Sequence, residues 1–111
     1  MTQAIKLLKL YTNEAAYFGD LRVFEVVTDR ARQAGLAGVT VLQALTGFGR
    51  SGLVRSGHAL SGDRTVVIEI IDEEPALRRF VDALGDLPDV SLITLETVEV
   101  LRSRRNEPRD A

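Results

Sequence analysis

The chain has no cysteine and no tryptophan, and only one histidine and three prolines among its 111 residues. Lack of cysteine excludes a disulfide framework and any thiolate metal site, and it suits a reducing cytoplasm. The single histidine, His58, accompanied only by scattered acids, falls short of a dedicated transition-metal site, so no metal ligands are assigned. Ser51, Ser56 and Ser61 have no evident base with an orienting carboxylate, so nucleophilic catalysis is not indicated and no catalytic residue is named. No apolar run approaches the ~20 residues of a membrane-spanning helix. Met1–Leu10 is interrupted by Lys6 and Lys9 and is followed by no cleavage signal, unlike a secretory leader; a cytoplasmic location is expected. A net charge of −2 argues against wholesale neutralisation of nucleic-acid phosphates.

What is present is an ordinary globular composition, 45% hydrophobic and 27% charged, sized for one core. One domain is expected over residues 1–101, with a flexible basic tail over 102–111. Ile5 to Tyr11 alternates as a strand does. Asp20 is placed to cap a helix whose Val23, Phe24, Val27, Ala31 and Ala34 recur every three or four residues, and Gly35 suits its end. Strands follow at Val39–Thr46 and Thr65–Ile71. Asp72, Glu73, Glu74 and Pro75 then supply first-turn acids and a helix-start proline, which accounts for these carboxylates better than a catalytic pair does. Leu77, Phe80, Val81 and Leu84 make one apolar stripe, Gly85 to Asp89 a turn, and Ser91 to Leu101 a fourth strand. This βαββαβ order predicts an α+β, ferredoxin-like sandwich with both helices on one face of an antiparallel sheet. Strands two and three are apolar on both faces, which predicts that other subunits cover the face the helices leave open.

The most informative stretch is Gly47-Phe48-Gly49-Arg50-Ser51-Gly52. Three glycines in six residues permit backbone shapes with open amide groups. Arg50 and Arg55 add guanidinium groups suited to a phosphate or carboxylate. A small anionic ligand is therefore the leading functional idea, against the plainer account of a tight loop whose glycines serve geometry alone. The stretch is not a Walker phosphate loop: no Gly-Lys-Ser/Thr follows, and a strand comes next rather than a helix. Phe48 can pack against a base or plug the core. Tyr11, Tyr17 and Phe18 flank the first connection, and packing in a core or interface is the expected role.

Five blocks in order resemble a PII-like family, the domain of unknown function numbered 190. They are Ile5-Lys6-Leu7-Leu8-Lys9-Leu10-Tyr11-Thr12, Gly35-Leu36-Ala37-Gly38-Val39-Thr40-Val41-Leu42, Gly47-Phe48-Gly49, Val66-Val67-Ile68-Glu69-Ile70-Ile71-Asp72 and Val90-Ser91-Leu92-Ile93-Thr94-Leu95-Glu96. The resemblance covers about residues 5 to 100 and implies a PII-like signalling and regulatory protein. It further implies a homotrimer with sheets facing inward, an adenine nucleotide (AMP, ADP or ATP) in clefts between subunits, and a loop at 47–64 presented to a partner protein. Regulation of a membrane transporter would fit such a family.

Of the family's acidic motif after strand one only Glu14 carries over, in Asn13-Glu14-Ala15-Ala16. Gln43-Ala44 stands where the family commonly has Arg-Gly, and Arg55 where a histidine is frequent. By analogy with basic C-terminal residues of PII proteins, Arg102 and Arg104 are candidates for a neighbour's phosphates. The candidate ligand set is thus Gly47, Phe48, Gly49, Arg50, Ser51, Gly52, Arg55, Glu14, Arg102 and Arg104. The turn Gly85–Asp89 takes the place of the PII loop that closes over phosphate, but its aspartates would repel a triphosphate. A mono- or diphosphate, or a bridging magnesium ion, is expected. The alternatives are a small phosphate-ester or acyl-phosphate hydrolase on the same fold, and a structural trimer without ligand.

Overall fold

The computed structural model describes residues 4–48, 54–56 and 64–104. Ten elements follow one another: β1 (Ile5–Asn13), β2 (Tyr17–Phe18), β3 (Leu21–Arg22), α1 (Val23–Gln33), β4 (Thr40–Gln43), β5 (Thr46–Phe48), β6 (Val54–Ser56), β7 (Thr65–Glu73), α2 (Glu74–Leu84) and β8 (Leu92–Thr97). Four of them build one antiparallel sheet in the order β4-β7-β1-β8. The pairs β2–β3 and β5–β6 are separate two-stranded ribbons. The ferredoxin-like frame expected from the sequence is present, decorated by two ribbons that the sequence pattern did not announce.

The central pair is β1 with β7, in which Leu8 faces Ile70, Leu10 faces Ile68 and Thr12 faces Val66. Side chains alternate along a strand, so these positions share one face. All six are buried, and the five apolar ones pack with Val23, Val27 and Ala31 of α1 and with Leu77, Phe80 and Leu84 of α2. Both helices therefore cover the same face. The spacing of three and four seen in each helix is the spacing that closes this core.

The opposite face carries Leu7, Lys9 and Tyr11 of β1, Val67, Glu69 and Ile71 of β7, Leu42 of β4 and Leu92 of β8. The register aligns Leu42, Val67, Tyr11 and Leu92 in one apolar row across all four strands. The next row, Thr40, Glu69, Lys9 and Thr94, is polar. Leu42 and Leu92 are 46% and 52% exposed, large values for leucines on a sheet. Lys9 Nζ lies 3.3 Å from Glu96 Oε1, and the hydrogen bond to Glu96 raises the Lys9 pKa above 10.5.

Several expected boundaries move, each for a physical reason. Asp20 does not cap α1: it stands at the tip between β2 and β3, and the N-cap is Arg22, whose N–H donates to Glu25 Oε1 at 3.2 Å. Gly35 does follow the helix end, at φ 77°, a left-handed conformation that a side chain disfavours. Strand two ends at Gln43 rather than Thr46, and Leu45 is 81% exposed. The fourth strand stops at Thr97, paired with Lys6, because β1 begins at Ile5 and has almost nothing further to pair with. Residues 105–111 of the expected tail lie outside the described residues.

Asp72 departs furthest from expectation. It belongs to β7 rather than to the first turn of α2, whose N-cap is Glu73 and whose first-turn acid is Glu74. Asp72 is buried, with Oδ2 accepting from Ala37 N–H at 2.9 Å and Oδ1 accepting from Glu73 N–H at 2.7 Å. One carboxylate thus joins the connection after α1 to the start of α2.

Asp72→Ala is expected to destabilise the protein by about 2–3 kcal/mol in urea denaturation, since two charge-assisted bonds go and two amides are left without that acceptor. Asp72→Asn should lose less. On the open face, Lys9 has its folded pKa raised, so its pairing contributes fully below 10.5 and is lost as pH rises through the raised value. An alkaline denaturation series should show this loss in the parent and not in Glu96→Gln.

Candidate functional site

Three strand ends meet where the β5–β6 ribbon leaves the sheet. β1 ends at Asn13, whose Oδ1 accepts from Ala15 N–H at 2.7 Å while its carbonyl accepts from Ala16 N–H at 3.0 Å. This Asn-headed turn fixes the backbone at Glu14. Glu14 N–H donates to the Arg64 carbonyl at 2.8 Å, and Ala44 N–H donates to the Thr65 carbonyl at 2.8 Å. Glu14, Gln43 and Arg64 are thereby gathered from the end of β1, from β4 and from the residue preceding β7.

Their side chains form a continuous chain of hydrogen bonds. Gln43 Nε2 donates to Glu14 Oε2 at 2.5 Å, and Arg64 Nη1 donates to Gln43 Oε1 at 2.7 Å. An amide is suited to this position, because its nitrogen serves the acid and its oxygen serves the base. Arg22 extends the chain, Nη1 donating to the Glu14 carbonyl at 3.3 Å. The result is a carboxylate acceptor and two guanidinium groups at the root of the ribbon, held by backbone bonds on three sides.

Beyond that root, the ribbon pairs Thr46 with Ser56, Gly47 with Arg55 and Phe48 with Val54. The described part of the glycine-rich stretch is therefore extended and laddered, and Gly47 is a strand residue rather than part of an irregular open-amide cradle. The same pairing brings Gly47 and Arg55, eight positions apart in sequence, directly opposite one another. Gly49, Arg50, Ser51 and Gly52 lie outside the described residues, as does His58.

The Gly85–Asp89 turn reaches the same end of the sheet. Thr12, buried, donates its hydroxyl to the Asp89 carbonyl at 2.7 Å, and Ser91 N–H donates to the Tyr11 carbonyl at 2.9 Å. Asp89 adopts φ 65°, unusual for a residue with a β-carbon and most tolerated by Asn and Asp. Arg102 and Arg104 follow β8, which pairs Thr97 with Lys6 and so delivers the chain to the other end of β1. The nine residues of β1 separate the two ends by about 30 Å. Within one chain, then, Glu14 and Arg55 belong to one end of the sheet, and β8 leads Arg102 and Arg104 away from it.

Gln43 and Arg64 are not candidates on sequence grounds. The available signal is parity: Gln43, Val66 and Thr12 occupy one cross-strand row, and Glu14 and Arg64 follow it on the same face. Tyr17 and Phe18, expected to pack in a core or an interface, are 52% and 45% exposed in the single chain, which excludes the core and leaves the interface.

Comparison with known structures defines the class. The fold matches a solved structure from Thiomonas intermedia K12, described as CPII bound to ADP and bicarbonate, with a TM-score of 0.67 and 21% identity over 88% of this chain and 89% of that one. It also matches a putative PII-like signaling protein from Thermus thermophilus, with a TM-score of 0.64 and 17% identity over 88% and 90% of the two chains. At these identities the likeness establishes a PII-like fold. Residues 5–100 match the DUF190 family, described as "Uncharacterized ACR", and the chain belongs to that family. A UPF0166 protein of Aquifex aeolicus (strain VF5) is 38% identical over 99 residues, spanning 86% of this chain and 92% of the relative.

Gln43→Ala is expected to cost only about 1 kcal/mol, because the relay is largely exposed. Its local effect should be larger: amide exchange at Glu14 and Ala44 should quicken relative to Leu8 and Ile68. Unchanged exchange at Glu14 and Ala44 would show that the backbone bonds hold the three strand ends without the relay.

Proposed function

We propose that this protein is a PII-like regulator that binds an adenine nucleotide in clefts between the chains of a homotrimer and presents the 47–64 loop to a target protein. The observation that carries the reading is the convergence of Glu14, Gln43 and Arg64 at the root of a ribbon whose register sets Gly47 opposite Arg55. Acceptor and donor groups are thereby supplied at one end of the sheet, as a nucleotide's hydroxyls and phosphates require. The PII-like structures of Thiomonas intermedia support the ligand class, since they are described as bound to ADP with bicarbonate, and to ADP and AMP with bicarbonate or acetate.

The location between chains rests on two features. An apolar row runs the width of the open sheet face, more than a monomer ordinarily leaves in water. Arg102 and Arg104 emerge at the opposite end of β1 from Glu14, so a pocket that uses both ends takes them from different chains. Asp86 and Asp89 flank the nearby turn and favour a mono- or diphosphate over a bare triphosphate; magnesium would relieve that repulsion. The groups at the ribbon root hold a ligand rather than transform one, because Glu14 and Arg64 are already joined through Gln43. The target is a protein of the cytoplasm or the cytoplasmic side of a membrane, a transporter among the candidates.

Calorimetric titration with AMP, ADP and ATP, with and without magnesium, tests the reading. One of the three is expected to bind saturably, with ADP or AMP ahead of magnesium-free ATP. Arg50→Ala and Arg55→Ala should each weaken binding 10- to 100-fold, about 1.4–2.8 kcal/mol, with the melting temperature of the free protein unchanged. Absence of heat with every nucleotide, or parental affinity in both variants, would contradict it.

A further inference from the structure

The β2–β3 ribbon carries Arg22 to the N-cap of α1 and to the Glu14 carbonyl, but neither contact calls for the apolar side chains beside it. Each strand has two residues, and Gly19 at φ 67° begins the tight turn between them. Three of the four strand residues are large and apolar, and all three are exposed: Tyr17 at 52%, Phe18 at 45% and Leu21 at 44%. Two arginines brace the rings. The Arg22 guanidinium lies 5.7 Å from the centre of the Tyr17 ring, and that of Arg30, reaching from α1, lies 5.9 Å from the centre of Phe18. Cation–π contacts of this kind hold the half-buried guanidinium groups beside the exposed rings.

The charges around this patch are unevenly satisfied. Asp29 pairs with Arg32, and Glu25 accepts from the backbone N–H of Arg22. Neither Arg22 nor Arg30 makes an ion pair among the described residues; the Arg22 guanidinium donates to a backbone carbonyl instead. Two guanidinium groups therefore flank exposed aromatic and aliphatic surface with no carboxylate partner among the described residues.

We infer that this ribbon is a docking surface for a partner protein segment that pairs apolar side chains with carboxylates. The apolar side chains cover Tyr17, Phe18 and Leu21, and the carboxylates take Arg22 and Arg30. Asp20 at the apex, Glu25 and Asp29 leave the patch mixed in charge, which a peptide placing single carboxylates at the two arginines can accommodate and a uniformly anionic membrane or nucleic acid cannot. The surface touches the root of the Gly47–Arg55 ribbon through Arg22 alone, whose Nη1 donates to the Glu14 carbonyl; Tyr17, Phe18, Leu21 and Arg30 have no part in that root.

A phage-displayed library of random 12-residue peptides, selected on the immobilised full chain, tests the inference. Enriched peptides are expected to place two or more acids beside apolar residues. A synthesised winner should bind at least 10-fold more weakly to Phe18→Ser and to Arg30→Ala, and its affinity should fall as salt rises from 50 to 500 mM. Arg30→Glu should turn the selection toward basic peptides, a reversal that loss of folding cannot mimic. The inference is overturned if no acidic-apolar peptide is enriched, or if its binding is indifferent to Phe18 and Arg30. It is equally overturned if Phe18→Ser lowers the sedimenting mass, showing that a second copy covers the patch, or if the chain binds phosphatidylglycerol vesicles through these residues.

Discussion

The antiparallel register of β1 with β7 is the constraint on which the rest of the molecule depends. Because side chains alternate, pairing Leu8 with Ile70 and Leu10 with Ile68 commits every other residue of both strands to the helices. A slip by one residue would send Leu7, Lys9 and Tyr11 into the core and Leu8 and Leu10 into water. The register also decides where chemistry can gather. It ends β1 beside the start of β7, so Glu14 meets Arg64, and β4 pairs with β7 so as to end at Gln43 beside both. The polar root of the Gly47–Arg55 ribbon is thus a consequence of core packing and needs no separate folding signal.

The same register sets the character of the open face. Leu7 and Tyr11 of β1 and Val67 and Ile71 of β7 lie on their second face, and the row from Leu42 to Leu92 carries no charge. The adjacent row of Thr40, Glu69, Lys9 and Thr94 carries charge at its centre, so the face combines an apolar strip with groups able to fix the orientation of what covers it. In the proposed trimer this face is buried. The separation of Glu14 from Arg102 and Arg104 along β1 then becomes a design for pockets shared between chains.

Much of the frame was legible in the sequence because it rests on period. Alternation located β1, a nearly continuous apolar run located β7, spacing of three and four located both helices, and the βαββαβ order pointed to the ferredoxin-like class. What was not legible rests on contacts that period does not encode. Asp72 reads as a helix-start acid, yet its amide partners at Ala37 and Glu73 make it a buried clip. Asp20 reads as a cap, yet a tight turn at Gly19 claims it and leaves the cap to Arg22. Gly47 reads as part of an irregular loop, yet it is paired in a strand. Of the candidate site, Glu14 was visible through resemblance, whereas Gln43 and Arg64 emerge only when β4 and β7 are set side by side. That Tyr17 and Phe18 stand outside the core, leaving an interface as their packing role, follows only once the β2–β3 ribbon is placed.

The central claim is that assembly and ligand binding are one property, because the groups a nucleotide needs are divided between chains. Native mass spectrometry of the purified protein, with ADP titrated in, tests it most directly. The account predicts a three-chain species that takes up to three ADP molecules and no ADP on single chains. Single chains that bind ADP, or a three-chain species that stays empty at saturating ADP, would contradict it.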